Sequence, residues 1–150
     1  MSSASEKMLL TFHIQERLAR FCRAVDTKEF ARLDEVFLPE VVGIYNEHQS
    51  HATLAELVSA MQSFIGADSN CGASLHNVMN VEADFDGENS AVSWANFYAL
   101  QEGLKDYTGQ TYKTWGIYND FWTLTDHGWR IRERRYTTLF NEGPKAIVGL

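Results

Sequence analysis

Two Gly-containing turn signals inside a strand-rich stretch constrain this chain most. Asp86-Gly87-Glu88-Asn89 and Asp126-His127-Gly128 each separate runs rich in β-branched and aromatic residues. Such turns between strand-like runs mark β-hairpins. They divide the stretch into strands expected at 74–85, 90–102, 110–125 and 129–140, with 103–109 as a longer Gly-containing connection. Long strands that follow one another through short turns pair antiparallel. The first half reads differently. Residues 5–25 carry Met8, Ile14, Leu18, Phe21 and Val25 as an apolar helical stripe, and Ser3 with Glu6 forms a capping-box pattern ahead of it. A second helix is expected over about 27–37, with Phe30, Leu33, Val36 and Phe37 on one side and Pro39 closing it. Residues 40–45 read as a short strand and 46–52 as a polar loop. Thr53 and Glu56 open a third helix at 54–65 that ends at Gly66.

Helices first and adjacent strands later predict an α+β fold, three N-terminal helices packed on a strongly curved antiparallel (mixed) sheet. No repeat or linker divides the 150 residues, so 1–150 is expected to be a single domain, with 141–150 as a C-terminal tail. In the strand 110–125, one parity carries Trp115, Ile117 and Phe121, and the other Tyr112, Tyr118, Trp122 and Leu124. A sheet half exposed to water alternates more cleanly. Both faces are therefore expected to be covered, one by the helices and one by another subunit, which predicts a homo-oligomer. The aromatic content is 13%, enough rings to line an apolar cavity.

The net charge of −7 argues against nucleic acid, whose phosphates are bound by Lys and Arg. No apolar run is long enough to span a bilayer, so no membrane partner is expected. The N-terminus lacks a basic segment followed by an apolar stretch, and Cys22 and Cys71 form no disulfide framework. A cytoplasmic location follows as an expectation. There is no phosphate loop, nucleophile elbow or nucleotide fingerprint, and no cofactor is expected. His48 and His51 form an H-x-x-H without a third ligand, which reads as a solvated loop; no metal site is expected. The arginines of 130–135 read as water-facing strand positions paired with acidic groups.

Two residues hold chemical interest. Asp26, in Asp26-Thr27-Lys28-Glu29, fits a helix cap when read locally. His76 opens the first long strand and, read locally, fits a hydrogen-bonded structural histidine. Its parity is awkward. It aligns with Val78, Asn80 and Glu82, whereas Leu75, Met79, Val81, Ala83 and Phe85 make the more core-like face. A bulge, or a place at a pocket mouth, would reconcile this.

The run Val25-Asp26-Thr27-Lys28-Glu29-Phe30-Ala31-Arg32-Leu33-Asp34-Glu35-Val36-Phe37-Leu38-Pro39, then Ile44-Tyr45, resembles the start of scytalone dehydratase. With a His opening the first long strand and Asp-His-Gly-Trp leading the last, the chain is similar to SnoaL-like proteins of the NTF2-like superfamily. The resemblance implies a cone-shaped half-barrel with a deep apolar cavity, and a trimer or a dimer. It places Asp26 and His76 together as an acid–base pair. It implies that Tyr45 holds a substrate carbonyl, and that Asn119 is a pocket asparagine. Phe21, Trp94, Trp115 and Phe121 would wall the cavity. The chain departs from the pattern at Val25 and Phe21, where tyrosines commonly stand, and near Gln101, where a second histidine falls. The implied function is a cofactor-independent, dehydratase-like lyase acting on a small, cyclic, carbonyl-containing molecule, with His76 as base and Asp26 orienting it. The alternatives are a non-catalytic small-ligand-binding protein, or an isomerase or cyclase using the same base.

Overall fold

The computed structural model describes residues 2–150, and its first helix starts where the capping pattern places it. Ser3 Oγ accepts a hydrogen bond from the Glu6 amide at 3.2 Å, and the Glu6 carboxylate accepts one from the Ser3 amide at 2.6 Å. Helix α1 (Ala4–Asp26) buries Leu10, Ile14, Leu18, Phe21 and Val25. Met8 is not on this stripe and is 74% exposed. It precedes Ile14 by six residues, which turns it roughly 120° away from the stripe.

Lys28 adopts a left-handed backbone (φ 59°) and turns the chain out of α1. The second helical segment is then a short 3-10 helix, Phe30–Glu35, tighter than the helix expected over 27–37. Asp26 does not cap it; that side chain is engaged elsewhere, as described below. Strand β1 (Phe37–Tyr45) begins before Pro39. Proline is tolerated there because pairing with the neighbouring strand is irregular between Phe37 and Val42, so its missing N–H leaves no ladder bond unmade. Asn46 and Glu47, both at positive φ, turn the chain into β2 (Gln49–His51), which pairs with β1 where a loop is expected from the sequence. Helix α2 (Leu54–Ile65) is capped by Thr53 Oγ1, which accepts from the Glu56 amide at 3.2 Å; the Glu56 carboxylate reaches back to the Ala52 amide.

Four long strands follow: β3 (Cys71–Gly87), β4 (Ser90–Gly103), β5 (Thr111–Thr125) and β6 (Gly128–Glu142). The sheet order is β2-β1-β6-β5-β4-β3. β1 runs parallel to β6 and every other pair is antiparallel, so the sheet is mixed. α1 packs against β3, and α2 against β1, on the same face of the sheet. The final segment does not trail away. A 3-10 helix, Lys145–Val148, buries Ile147 and Val148, and Asn70 Nδ2 donates to the Ala146 carbonyl at 3.0 Å. Among the described residues, no helix is long and apolar enough to cross a membrane.

One bulge settles the parity of β3. Met79 pairs with Asn96 but Glu82 pairs with Trp94, so β3 carries one extra residue, and Asn80 takes a left-handed backbone (φ 55°). Ser74, His76 and Val78 therefore face inward before the bulge, and Val81 and Ala83 after it. Leu75 and Met79, core-like by sequence, face outward at 60% and 41% exposure. Asn is among the few residues that visit this backbone region readily. Asn80→Val is expected to cost about 1–2 kcal/mol of stability, and Asn80→Gly far less, as read by urea unfolding.

Candidate active site

α1 ends against β3, and this junction builds the polar centre of the molecule. The Asp26 carboxylate, on the last residue of α1, accepts from Ser74 Oγ at 2.9 Å and from the His76 amide at 2.9 Å. It also meets His76 Nδ1 at 2.5 Å. An ionised carboxylate can only accept, so Nδ1 is the donor of this contact. The imidazole is held between Phe21 and Phe97, with ring centroids at 6.5 and 5.6 Å. Its side chain is 8% exposed and that of Asp26 is 18% exposed. The pair stands in a partition. Asp26 lines a groove between α1 and β3, and His76 lines both that groove and a mostly apolar cavity.

The cavity measures about 180 Å³. Phe21 and Val25 of α1, Leu57, Met61 and Phe64 of α2, Phe97, Tyr112, Tyr118 and Tyr136 of the sheet, and Val148 and Leu150 of the tail wall it. The inward face of β5 carries Tyr112, Thr114, Gly116, Tyr118, Asp120 and Trp122. At Gly116 a Cβ would strike Tyr136, so the glycine lets that ring lie flat across the strand.

Tyr45 also lines the cavity, and its buried hydroxyl has no hydrogen-bond partner. Burial pushes its pKa up to about 12, against the pull of the Arg134 guanidinium nearby, so it stays a proton donor. Behind it, Arg134 forms a two-pronged ion pair with Asp120, both bonds 2.8 Å, with the two side chains 0% and 1% exposed. The guanidinium stacks on Tyr118 at 3.7 Å and on Phe21 at 4.4 Å. Burial opposes its charge, but the Asp120 carboxylate outweighs this and holds its pKa above the ordinary value. Arg134 is thus not the water-facing residue the sequence suggests. The pairing of β5 with β6 shifts between Phe121 and Trp122, which puts Ile131 and Arg134 on the same inward face. Arg132 and Arg135 do stay on the solvent side, near Asp86 and Glu133.

Of the residues expected at the site, Asp26, His76, Tyr45 and Phe21 come together. Four others do not line this cavity. Trp115, Asn119 and Phe121 occupy the odd positions of β5, whose even positions face inward, and Trp94 pairs across from Asn119 on the same outer face. Trp115 stacks between Tyr98 and Phe140, Phe121 lies under Arg132 and Arg135, Asn119 donates to the Ser93 carbonyl, and Trp94 is 43% exposed. In their place stand Phe97, Tyr112, Tyr118 and Tyr136, which sequence parity could have proposed only with the inward face known. His51 is a further correction. It lines the cavity 6.0 Å from the Tyr45 ring, because β2 sets it opposite Gly43, which offers no side chain to block it. His48 is exposed, and among the described residues no cluster of three or more His, Cys, Asp or Glu gathers that could hold a metal ion.

The profile of the SnoaL-like domain family matches residues 8–135. The chain belongs to the SnoaL-like domain family. No curated protein sequence matches it. Among solved structures, it is similar to the Kfla4162 protein of Kribbella flavida, with a TM-score of 0.83, 17% identity, and 99% of this chain and 100% of that one covered. A candidate scytalone dehydratase of Novosphingobium aromaticivorans gives a TM-score of 0.84 at 15% identity over 95% and 92% of the two chains. A hexachlorocyclohexane dehydrochlorinase, LinA-type3 of Novosphingobium barchaimii, gives 0.78 at 11% identity over 99% and 97%. At such identities the likeness establishes a shared architecture: this SnoaL-like chain has the NTF2-like α+β fold, an open half-barrel with a mixed six-stranded sheet.

Proposed function

We propose that this SnoaL-like protein is a cofactor-independent lyase for a small cyclic carbonyl compound. The observation that carries the reading is the His76–Asp26 pair, hydrogen-bonded at 2.5 Å with the imidazole opening on an apolar cavity. A capping Asp26 and a solvent-facing His76 would have favoured a passive ligand binder. Nε2 of His76 removes the proton α to the carbonyl. Asp26 keeps the proton on Nδ1 and stabilises the imidazolium that results. Electron density moves onto the carbonyl oxygen, to which the Tyr45 hydroxyl donates. When the enolate collapses, the C=C bond forms, the β C–O bond breaks, and the imidazolium returns its proton to the departing hydroxyl. The products are a conjugated enone and water. The likeness to a candidate scytalone dehydratase and to a dehydrochlorinase is consistent with elimination, although the fold alone does not choose it. A screen of cyclic β-hydroxy ketones, followed by the ultraviolet absorbance of the enone, tests the reading. Absence of turnover across the series overturns it.

We further propose that the protein is a homo-oligomer joined through the outer sheet face. Leu75, Met79, Trp94, Leu139 and Phe140 are exposed there at 60%, 41%, 43%, 65% and 56%, around the Tyr98–Trp115–Phe140 stack. A patch of this kind marks an interface. Light scattering is expected to give a dimer or trimer mass, and the double variant Leu139→Lys, Phe140→Glu a monomer. A monomeric parent protein overturns the proposal.

A further inference from the structure

The amide of Gln101 is a polar group of the cavity that the elimination does not use. The Gln101 side chain is 4% exposed, lines the cavity, and its Oε1 is buried without a hydrogen-bond partner. An unmade hydrogen bond in an apolar interior destabilises the fold, so a protein retains one where something else completes it. Three neighbouring hydroxyls are engaged elsewhere. Ser74, opposite Gln101 on β3, gives its proton to Asp26, and Thr114 and Tyr136 bond each other at 3.1 Å. The other orphaned polar atom of the cavity wall is the Tyr45 hydroxyl. The cavity wall thus carries a buried acceptor, Gln101 Oε1, and a buried donor, the Tyr45 hydroxyl, that no protein group meets.

Position ties Gln101 to the proposed base. Ser74 pairs with Gln101 and His76 with Ala99, so His76 and Gln101 are diagonal neighbours on the inward face. Such neighbours stand about 7–8 Å apart, a span that one small ring bridges. The cavity volume of about 180 Å³ agrees, since a cavity of roughly 150 Å³ takes up one benzene-sized ring.

Resting on the lyase reading above, we propose that Gln101 is a specificity-determining residue that accepts a hydrogen bond from a hydroxyl of the substrate, and that the substrate is a monocyclic β-hydroxy ketone whose carbonyl takes the Tyr45 donor. An amide does not titrate near neutral pH, so Gln101 recognises the hydroxyl without exchanging protons with it.

The test uses 3-hydroxycyclohexanone and cyclohexanone as a matched pair, bound to the His76→Gln variant so that the hydroxy ketone is not consumed. The hydroxy ketone is expected to bind about tenfold more tightly, as one hydrogen bond allows. Gln101→Met, which keeps the volume and removes the acceptor, is expected to bring the ratio to about one. In the ligand-free protein, Gln101→Met should raise the unfolding midpoint by about 2–4 °C, because an orphaned oxygen is replaced by an apolar group. A lowered midpoint marks Gln101 as structural and overturns the proposal. So does a preference that survives Gln101→Met, or a failure of either ketone to be favoured. The two readings separate cleanly. A Gln101-dependent preference without enone formation sinks the lyase and leaves Gln101 as the residue that accepts from a ligand hydroxyl. Enone formation that Gln101→Met leaves unchanged does the reverse.

Discussion

Replacing His76 with glutamine is expected to lower turnover of a cyclic β-hydroxy ketone by about 10²–10⁴-fold and to leave the fold intact. The side chain sits 2.5 Å from Asp26 and is nearly buried, so a substitute must both fit and give Asp26 a donor. A glutamine amide can do this, and the backbone N–H of residue 76 still bonds Asp26. What it cannot do is take a proton in place of Nε2. The loss therefore falls on kcat, with binding and the unfolding midpoint little changed. Asp26→Asn separates the partner's role. Its amide offers donors where the Ser74 hydroxyl and the His76 amide already donate, so it loses activity together with stability. A His76→Gln variant that retains near-normal kcat on any substrate found would rule out the proton-abstraction mechanism for it.

The largest stability effect is expected at Asp120. Asp120→Ala leaves the Arg134 guanidinium buried, still charged and short of two hydrogen bonds. Breaking such a pair from one side costs about 3–5 kcal/mol. In a chain of this size that lowers the unfolding midpoint by roughly 6–20 °C. Replacing both partners, Asp120→Leu with Arg134→Met, is expected to recover most of the loss, because the desolvation of both charges disappears with them. The recovery is incomplete, since Arg134 also packs its plane on Tyr118, Phe21 and Phe37. Chemical unfolding of the single and double variants measures both numbers. An Asp120→Ala protein within 2 °C or so of the parent would show that the ion pair is held open to water in solution.

These two sites differ in how visible they were from the residues alone. Asp26 and His76 drew attention only through the resemblance to a family, since each has an ordinary local explanation. The structure removes the local explanation for Asp26: Lys28 turns left-handed, the next segment is a 3-10 helix, and the carboxylate bonds β3 instead of a helix end. Arg134 was not visible at all, because an arginine among four charged neighbours in 130–135 has the pattern of a solvated strand.

What the sequence determined by itself was local. The Ser3–Glu6 cap, the helical stripe, the α2 cap and the two hairpin turns each follow from residues a few positions apart, whose interactions need no distant partner. What only the tertiary structure decided was which face of each strand looks inward. A period of two has two equivalent phases, and strands that are apolar on both sides do not choose between them. Here one extra residue at Asn80 and one shifted pair beside Trp122 reset the phase, turning Val81 and Arg134 inward. The odd positions of β5 face outward in the same sheet, and Trp115 and Phe121 lie with them. Those choices depend on pairing with a neighbouring strand and packing under α1, contacts between residues far apart in the chain, and they assemble the cavity beside His76.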